Sequence, residues 1–345
     1  MDENSLLARV LAARGINTPE EIESFMHPDL SKDWLNPYDI DGMEELANSV
    51  EAAIRAGKKI TVYGDYDLDG ISATVVMMRG LRELDKHINA GMTIDYFLPS
   101  RFKEGYGITE KSLERFLAKE NLPEFVITVD CGITCNSEIQ ALRDKGIDVV
   151  VTDHHAKSDN YPQDVCAIDP EAQDNQDENA NLAGVGVALK LIDCLGSRMG
   201  MPNLWRELID FATLGTLADV MPLVGQNRAL VKEGVNLINE NPRASLRAMI
   251  DIAGKKAGEL TSTDISYVIT PRLNAAGRMD QADIAVDLLM CDDYNQAYNL
   301  ALEIEQLNNQ RRDITAQVLE QANYQAKQII ENNPDRRSLV LSSKE

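Results

Sequence analysis

Residues 58–69 read KKITVYGDYDLD: a lysine pair, the apolar β-branched run Ile60 to Tyr63, and then Asp65, Asp67 and Asp69 within five positions. A short run of this composition, ended by glycine, reads as a buried strand. Like carboxylates gathered at its end repel one another and raise one another's pKa unless something positive lies between them. Either a cation belongs at this turn or the turn is an ordinary solvated one.

The same ending recurs further along. FVITVD (125–130) and DVVVTDHH (148–155) also pass from apolar residues into aspartate, with helical periodicity in ISATVVMMRGLREL and NSEIQALRDKG between the runs. Alternation of this kind predicts βαβ units: an α/β fold with a doubly wound, largely parallel sheet covered on both faces. Asp65 to Asp69, Asp130 and Asp153 to His155 then meet at the carboxyl edge of one sheet, where open α/β sheets bind ligands. Around this core, residues 1–57 read as an N-terminal helical segment packed on it, 58–280 as the catalytic domain and 281–335 as a long connector helix. YNQAYNLALEIEQ onward suits about 40 helical residues. Residues 336–345, with SLVL, read as the first strand of a further domain, and the chain as a fragment.

The chain has 345 residues, 34 Lys and Arg against 56 Asp and Glu, and a net charge of -22. That balance argues against a protein held to nucleic acid by bulk electrostatics, which Lys and Arg carry, but leaves room for a local basic channel or for metal ions. No apolar stretch approaches the ~20 residues of a membrane helix, and MDENSLLARVLAARG lacks the features of a signal peptide. A cytoplasmic protein is expected. Five scattered cysteines suit reduced thiols.

DYDLDG matches the first half of a calcium-binding EF-hand loop, yet Val76 stands where its last, bidentate Glu belongs, and the turn follows a strand rather than a helix. LAGVGV is not a dinucleotide fingerprint, since Leu189 replaces its third glycine; Gly184 and Gly186 are read as packing glycines beneath the site. Of four histidines, His27 and His87 sit in surface-like contexts, whereas His154 and His155 follow Asp153 at the shared sheet edge. Carboxylates and imidazoles converging there have the makeup of a two-metal site for Mn²⁺ or Mg²⁺. Arg101, Arg272 and Arg278 are candidate phosphate contacts, because guanidinium forks match phosphate oxygens, and Asn274 belongs to the same pocket.

GDYDLDG (64–70), VDCGI (129–133), VTDHH (151–155) and GTLADVMP (215–222), in that order, resemble the four motifs of the DHH phosphoesterase superfamily. LPSRFKEGYGIT (98–109), LAGVGVALK (182–190) and PRLNAAGRM (271–279) resemble its RecJ branch, bacterial exonucleases specific for single-stranded DNA. The resemblance implies two divalent ions, Mn²⁺ or Mg²⁺, held by Asp67 and Asp69 with Asp65 as an additional ligand. Asp130 would bridge them, His154 would ligate one and Asp219 the other; His155 would act as substrate contact or general acid, and Asp153 would orient the histidines. Many superfamily members carry a metal-binding His where Tyr63 stands, a role Asp65 can take over. Arg101 would lie near the 5′ end of the strand and Arg278 near the scissile phosphate.

The implied activity is 5′-to-3′ digestion of single-stranded DNA to 5′-mononucleotides in repair and recombination, by a monomer. A single-strand binding protein and a RecQ-type helicase are the implied partners. The rival readings keep the chemistry on short oligoribonucleotides or cyclic dinucleotides, or make the chain a catalytically silent scaffold. The family continues into a DHH-associated domain and an OB fold, so weakened DNA binding is expected of this chain alone.

Overall fold

A computed structural model describes residues 5–156, 160–173, 178–333 and 336–343. The helices α1 (Leu6–Ala13), α2 (Pro19–Met26), α3 (Leu30–Asp33) and α4 (Met43–Arg55) lead into β1 (Lys59–Tyr63). α4 is amphipathic, and its Met43, Leu46, Ala47, Val50 and Ile54 enter the core. Trp34, between α3 and α4, stacks on Trp205 with ring centroids 4.8 Å apart and donates its indole N–H to Asp193 at 2.9 Å, which fastens the N-terminal segment to the body.

The sheet comprises β1, β2 (Thr93–Phe97), β3 (Phe125–Val129), β4 (Asp148–Thr152) and β5 (Cys166–Ile168), all parallel, in the order β2-β1-β3-β4-β5. Alternate residues serve different faces. Ile60, Val62, Phe125, Ile127 and Val150 join the core built on α4, α5 (Leu68–Ile88) and α8 (Gly184–Arg198), while Tyr63, Val126, Val149 and Val151 join the one built on α6 (Glu110–Leu117) and α7 (Asn136–Arg143). Burial on both sides is why β1, β3 and β4 each read as a continuous apolar run. The chain leaves β1 for β2 on one side while β3 lies on the other, so the crevice of a doubly wound sheet opens between β1 and β3 at their carboxyl ends.

Helices α9 (Ile209–Ala218), α10 (Gly225–Glu240) and α11 (Ala244–Ile252) extend the core beyond α8. After α12 (Ser262–Asp264), residues Ile265–Ile269 form a π-helical turn that runs into α13 (Thr270–Arg278). Pro271 has no N–H to offer the carbonyl four residues back, so the helix widens there.

The connector differs from the expectation in one respect. Residues 281–335 do not form one helix: α14 (Ala282–Met290) ends and α15 (Tyr294–Asn332, 39 residues) begins after it. Asp292 is held by Arg79 of α5 at 2.8 Å, and Asp293 caps α15 by accepting from the Gln296 N–H at 2.9 Å. α14 therefore belongs to the core, with Ala285, Val286, Leu288 and Leu289 buried. The first third of α15 packs through Ala297, Ala301 and Ile304; from Arg312 to Gln321 every residue is exposed. Residues 336–343 take no regular structure, and the strand expected at SLVL is not formed among them.

Candidate metal centre

The aspartates of the first turn are positioned by two helix N-termini. Asp67 caps α5, its Oδ1 accepting from the Asp69 and Gly70 amides at 3.0 and 3.1 Å. Asp69, in the first turn of α5, accepts from the Gly184 and Val185 amides of α8 at 2.7 and 3.0 Å. Free N–H groups and the positive ends of both helix dipoles thus face the acidic cluster. Glycine is required at 184: a Cβ there would lie 2.4 Å from Asp130 Oδ1. The packing role expected for Gly184 is met, with the added task of binding Asp69 through its amide.

β3 delivers Asp130 in a left-handed conformation, φ +58, rare for a residue with a side chain. β4 delivers Asp153, His154 and His155, and the C-terminal end of α9 delivers Asp219. His154 Nε2 lies 3.1 Å from Asp130 Oδ1, 3.7 Å from Asp69 Oδ2 and 3.8 Å from Asp219 Oδ2. Ligand atoms of Asp65, Asp67 and Asp130 lie within 4.8 Å of one another, as do those of Asp69, His154 and Asp219, and those of Asp130, His154 and His155. Asp130 therefore stands between two ligand groups. His154 shares its group with Asp219, where the family resemblance would divide them between two ions.

Asp65 is fully buried, and its carboxylate oxygens make no close hydrogen bond among the described residues, only weak contacts with the backbone amides of Tyr66 and Gly107; Asp130 Oδ1 has His154 Nε2 3.1 Å away as its neighbour. Burial, and then the Asp67 charge, push the Asp65 pKa up to about 7. Burial and the neighbouring carboxylates hold Asp69 and Asp130 well above the ordinary range, and burial with Asp67 takes Asp219 to about 6. Carboxylates this buried, this close and this poorly solvated fit a cation, and an oxygen-rich set with one imidazole suits Mn²⁺ or Mg²⁺.

Asp153 behaves differently. Burial would raise its pKa, but hydrogen bonds hold it below the usual value: His155 Nδ1 at 2.7 Å and the amides of Ile133, His154 and His155 at 2.9, 2.7 and 3.2 Å. Its acceptor sites are thereby committed to orienting the histidine pair. Burial and the neighbouring His155 take His154 down to about 4, so its imidazole is neutral and free to ligate. His155 is lowered by burial but raised more strongly by Asp153, to about 9.

Tyr63 points away from this cluster into the opposite core, where its hydroxyl donates to Ser112 Oγ at 2.8 Å. Tyr106, which lies inside LPSRFKEGYGIT but gains no role from the sequence alone, has its hydroxyl 2.9 Å from His155 Nε2 and 3.0 Å from Nδ1. It stands between Gly105 and Gly107, both at positive φ, a tight turn that could have marked it.

The substrate candidates separate. Arg101 is exposed, lies over the Tyr66 ring at 5.3 Å and edges a cavity of about 220 Å³ that includes Ser100, Lys103 and Gly277. Arg278 is exposed at the end of α13, next to Gly277, whose packing on the Tyr66 carbonyl leaves no room for a Cβ; both arginines thus flank the acidic turn. Asn274 is half-buried one helical turn before Arg278. Arg272 is committed elsewhere: its Nε lies 2.7 Å from Glu305 Oε2 of α15 and its Nη1 donates to the Val268 carbonyl. Its hydrogen-bonding capacity ties α13 to the connector instead of facing the cluster.

Residues 59–216 match the DHH family, N-terminal domain. A crystal structure of exonuclease RecJ bound to manganese is 35% identical, with a TM-score of 0.73, over 83% of this chain and 70% of that one. The chain belongs to the DHH family. Among its relatives are RecJ proteins: those of Bacillus subtilis (strain 168) and Escherichia coli (strain K12), described as single-stranded-DNA-specific exonucleases, are 36% and 34% identical over 92% and 90% of this chain. The chain spans only 38% and 53% of those two proteins. The Thermus thermophilus RecJ in complex with Mn²⁺ is 32% identical with a TM-score of 0.75, covering 90% of this chain and 43% of that one. Among the described residues, no helix is long and apolar enough to cross a membrane.

Proposed function

We propose that this chain is the catalytic portion of a RecJ-type nuclease that hydrolyses phosphodiesters from the 5′ end of single-stranded DNA, releasing 5′-mononucleotides. The observation that carries the reading is the fully buried Asp65, with no close hydrogen bond among the described residues, gathered at one sheet edge with Asp67, Asp69, Asp130, His154 and Asp219. Asp65, Asp67 and Asp130 would hold one divalent ion, and Asp69, His154 and Asp219 a second, with Asp130 shared. Ions held there would supply an activated water and charge neutralisation at the phosphate.

The protein's own groups supply orientation and a proton. Asp153 fixes His155 through Nδ1 and keeps the imidazole protonated, so that its Nε2–H, beside the Tyr106 hydroxyl at 2.9 Å, can be passed to the leaving oxygen or a phosphate oxygen when substrate is bound. Tyr106, its hydroxyl within 3.0 Å of both ring nitrogens, steadies that ring. Arg101 and Arg278 flank the turn with charges fit for phosphates, so an acidic protein meets its anionic substrate through cations.

The test is cleavage of 3′-labelled single-stranded DNA, duplex DNA and a dinucleotide in Mn²⁺, by wild type and Asp130→Asn. Metal-dependent loss of mononucleotides from the single strand, abolished in the variant, is expected. Equal activity of wild type and variant, or preference for the dinucleotide, would overturn the reading.

A further inference from the structure

Two loops hold Asp69 and Asp219 in the group they form with His154, and one side chain grips both loops. Asn227, in the first turn of α10 and 1% exposed, donates through Nδ2 to the Asn181 carbonyl at 2.6 Å and to the Pro222 carbonyl at 3.2 Å. Asn181 stands three residues before Gly184, whose amide binds Asp69, and Pro222 stands three residues after Asp219. The backbone of Leu182, between Asn181 and Gly184, also offers the His154 ring a weak hydrogen bond. The neighbouring Gln226 adds a further tie, its Nε2 donating to Asn179 Oδ1 at 3.0 Å within the 3₁₀ turn Glu178–Asn181.

Two carbonyl oxygens need two donors, and a side-chain amide supplies one N–H to each from a single rigid plane. Asn227 Oδ1 and Gln226 Oε1 are buried with no partner among the described residues, an arrangement that costs stability. A leucine of similar size would spare that cost but release both carbonyls. The loop from Asp219 to Pro222 also needs holding: Val220 lies at φ +59, a left-handed conformation that a β-branched residue rarely takes and that persists only where surrounding contacts fix it. The other ligand group has no such brace. Asp65, Asp67 and Asp130 sit directly on the ends of β1 and β3 and at the start of α5, and among the described residues no hydrogen bond from an α10 side chain reaches those segments.

We propose that Asn227 is a positioning residue for one metal ion of the pair: by tying the Asn181 and Pro222 carbonyls together it keeps Asp69, His154 and Asp219 in one group, while the group of Asp65, Asp67 and Asp130 stands without it. The proposal rests on the two-ion reading of the acidic cluster.

The experiment reads Mn²⁺ binding by calorimetric titration and electron paramagnetic resonance in wild type, Asn227→Leu and Asn227→Ser, with Asn239→Leu as the control. Asn239 pins the Leu260 backbone from the same helix, about 18 Å further along it at the standard rise. Wild type should take up two ions and give the exchange-coupled signal of a manganese pair. In the Asn227 variants one ion should bind as in wild type and the other about 10- to 100-fold more weakly, the scale of losing a group that orients a metal ligand. At limiting Mn²⁺ the coupled signal should then give way to that of a single ion. Asn239→Leu should melt earlier and keep both ions. Should Asn227→Leu fail to fold, Asn227→Ser decides, since serine fits the space but has one donor for two carbonyls. A wild type that binds fewer than two ions would overturn the two-ion reading and this role with it. Two ions held with wild-type affinity in a folded Asn227 variant would overturn the role alone, and so would equal weakening of both ions, which would make Asn227 a general support of the fold.

Discussion

Asp65→Asn isolates the cost of keeping a cation site. The Asp65 pKa rises from 3.8 to about 7 on folding, a rise worth about 4 kcal/mol against the charged form. The sign follows from a folded value above the unfolded one: the folded protein binds the extra proton, so stability falls as pH climbs from 3.8 towards 7 and the full cost is present above that. Asparagine removes the charge but leaves a buried amide with poor partners, at about 1–3 kcal/mol. In EDTA at pH 8 the variant should therefore be more stable than wild type by about 1–3 kcal/mol, a gain of about 1–4 °C in Tm for a chain of this length. At pH 5 the difference should shrink to near zero. Mn²⁺ should raise the Tm of wild type well beyond that of the variant. The assay is thermal unfolding followed by tryptophan fluorescence in EDTA and in Mn²⁺ at both pH values. A variant clearly less stable than wild type in EDTA at pH 8 would instead show that the Asp65 carboxylate supports the metal-free fold.

Other outcomes follow from individual contacts. Gly184→Ala drives a methyl group into Asp130 and should lower Mn²⁺-dependent cleavage about 100-fold, the upper scale for disturbing the support of a metal ligand, while the protein stays folded by circular dichroism. Tyr106→Phe removes the hydroxyl beside His155 and should lower kcat about tenfold, the scale of one positioned catalytic hydrogen bond, with Mn²⁺ affinity, read by calorimetry, unchanged. Arg272→Met strands the half-buried Glu305 and should cost about 1–3 kcal/mol in urea unfolding; if Arg272 is instead a phosphate contact, stability will hold and the KM for DNA will rise.

Much of this was legible because the strands are short and buried on both faces. ITVY, FVITV and DVVVT announce a parallel sheet, and the aspartates that follow them announce its functional edge. Asp65, Asp67, Asp69, Asp130, His154 and Asp219 come together as six side chains from four separate stretches of chain. What the sequence hid depends on partners distant along the chain. Nothing local to PRLNAAGR reveals that Arg272 meets Glu305, more than thirty residues on, while Arg278 meets no acid among the described residues. The break between α14 and α15 was concealed because no Gly or Pro marks it: Asp292 and Asp293 end one helix and start the next through Arg79 and a cap. The binding of Asp69 by the first amides of α8 involves backbone alone, so no side-chain pattern could signal it.

Anomalous diffraction from crystals of this protein soaked in Mn²⁺ would locate the ions in the acidic cluster directly. Two manganese peaks about 3.5–4 Å apart are expected, one against Asp65, Asp67 and Asp130 and the other against Asp69, His154 and Asp219. No peak among these residues, in crystals that bind manganese elsewhere, would contradict the two-ion site.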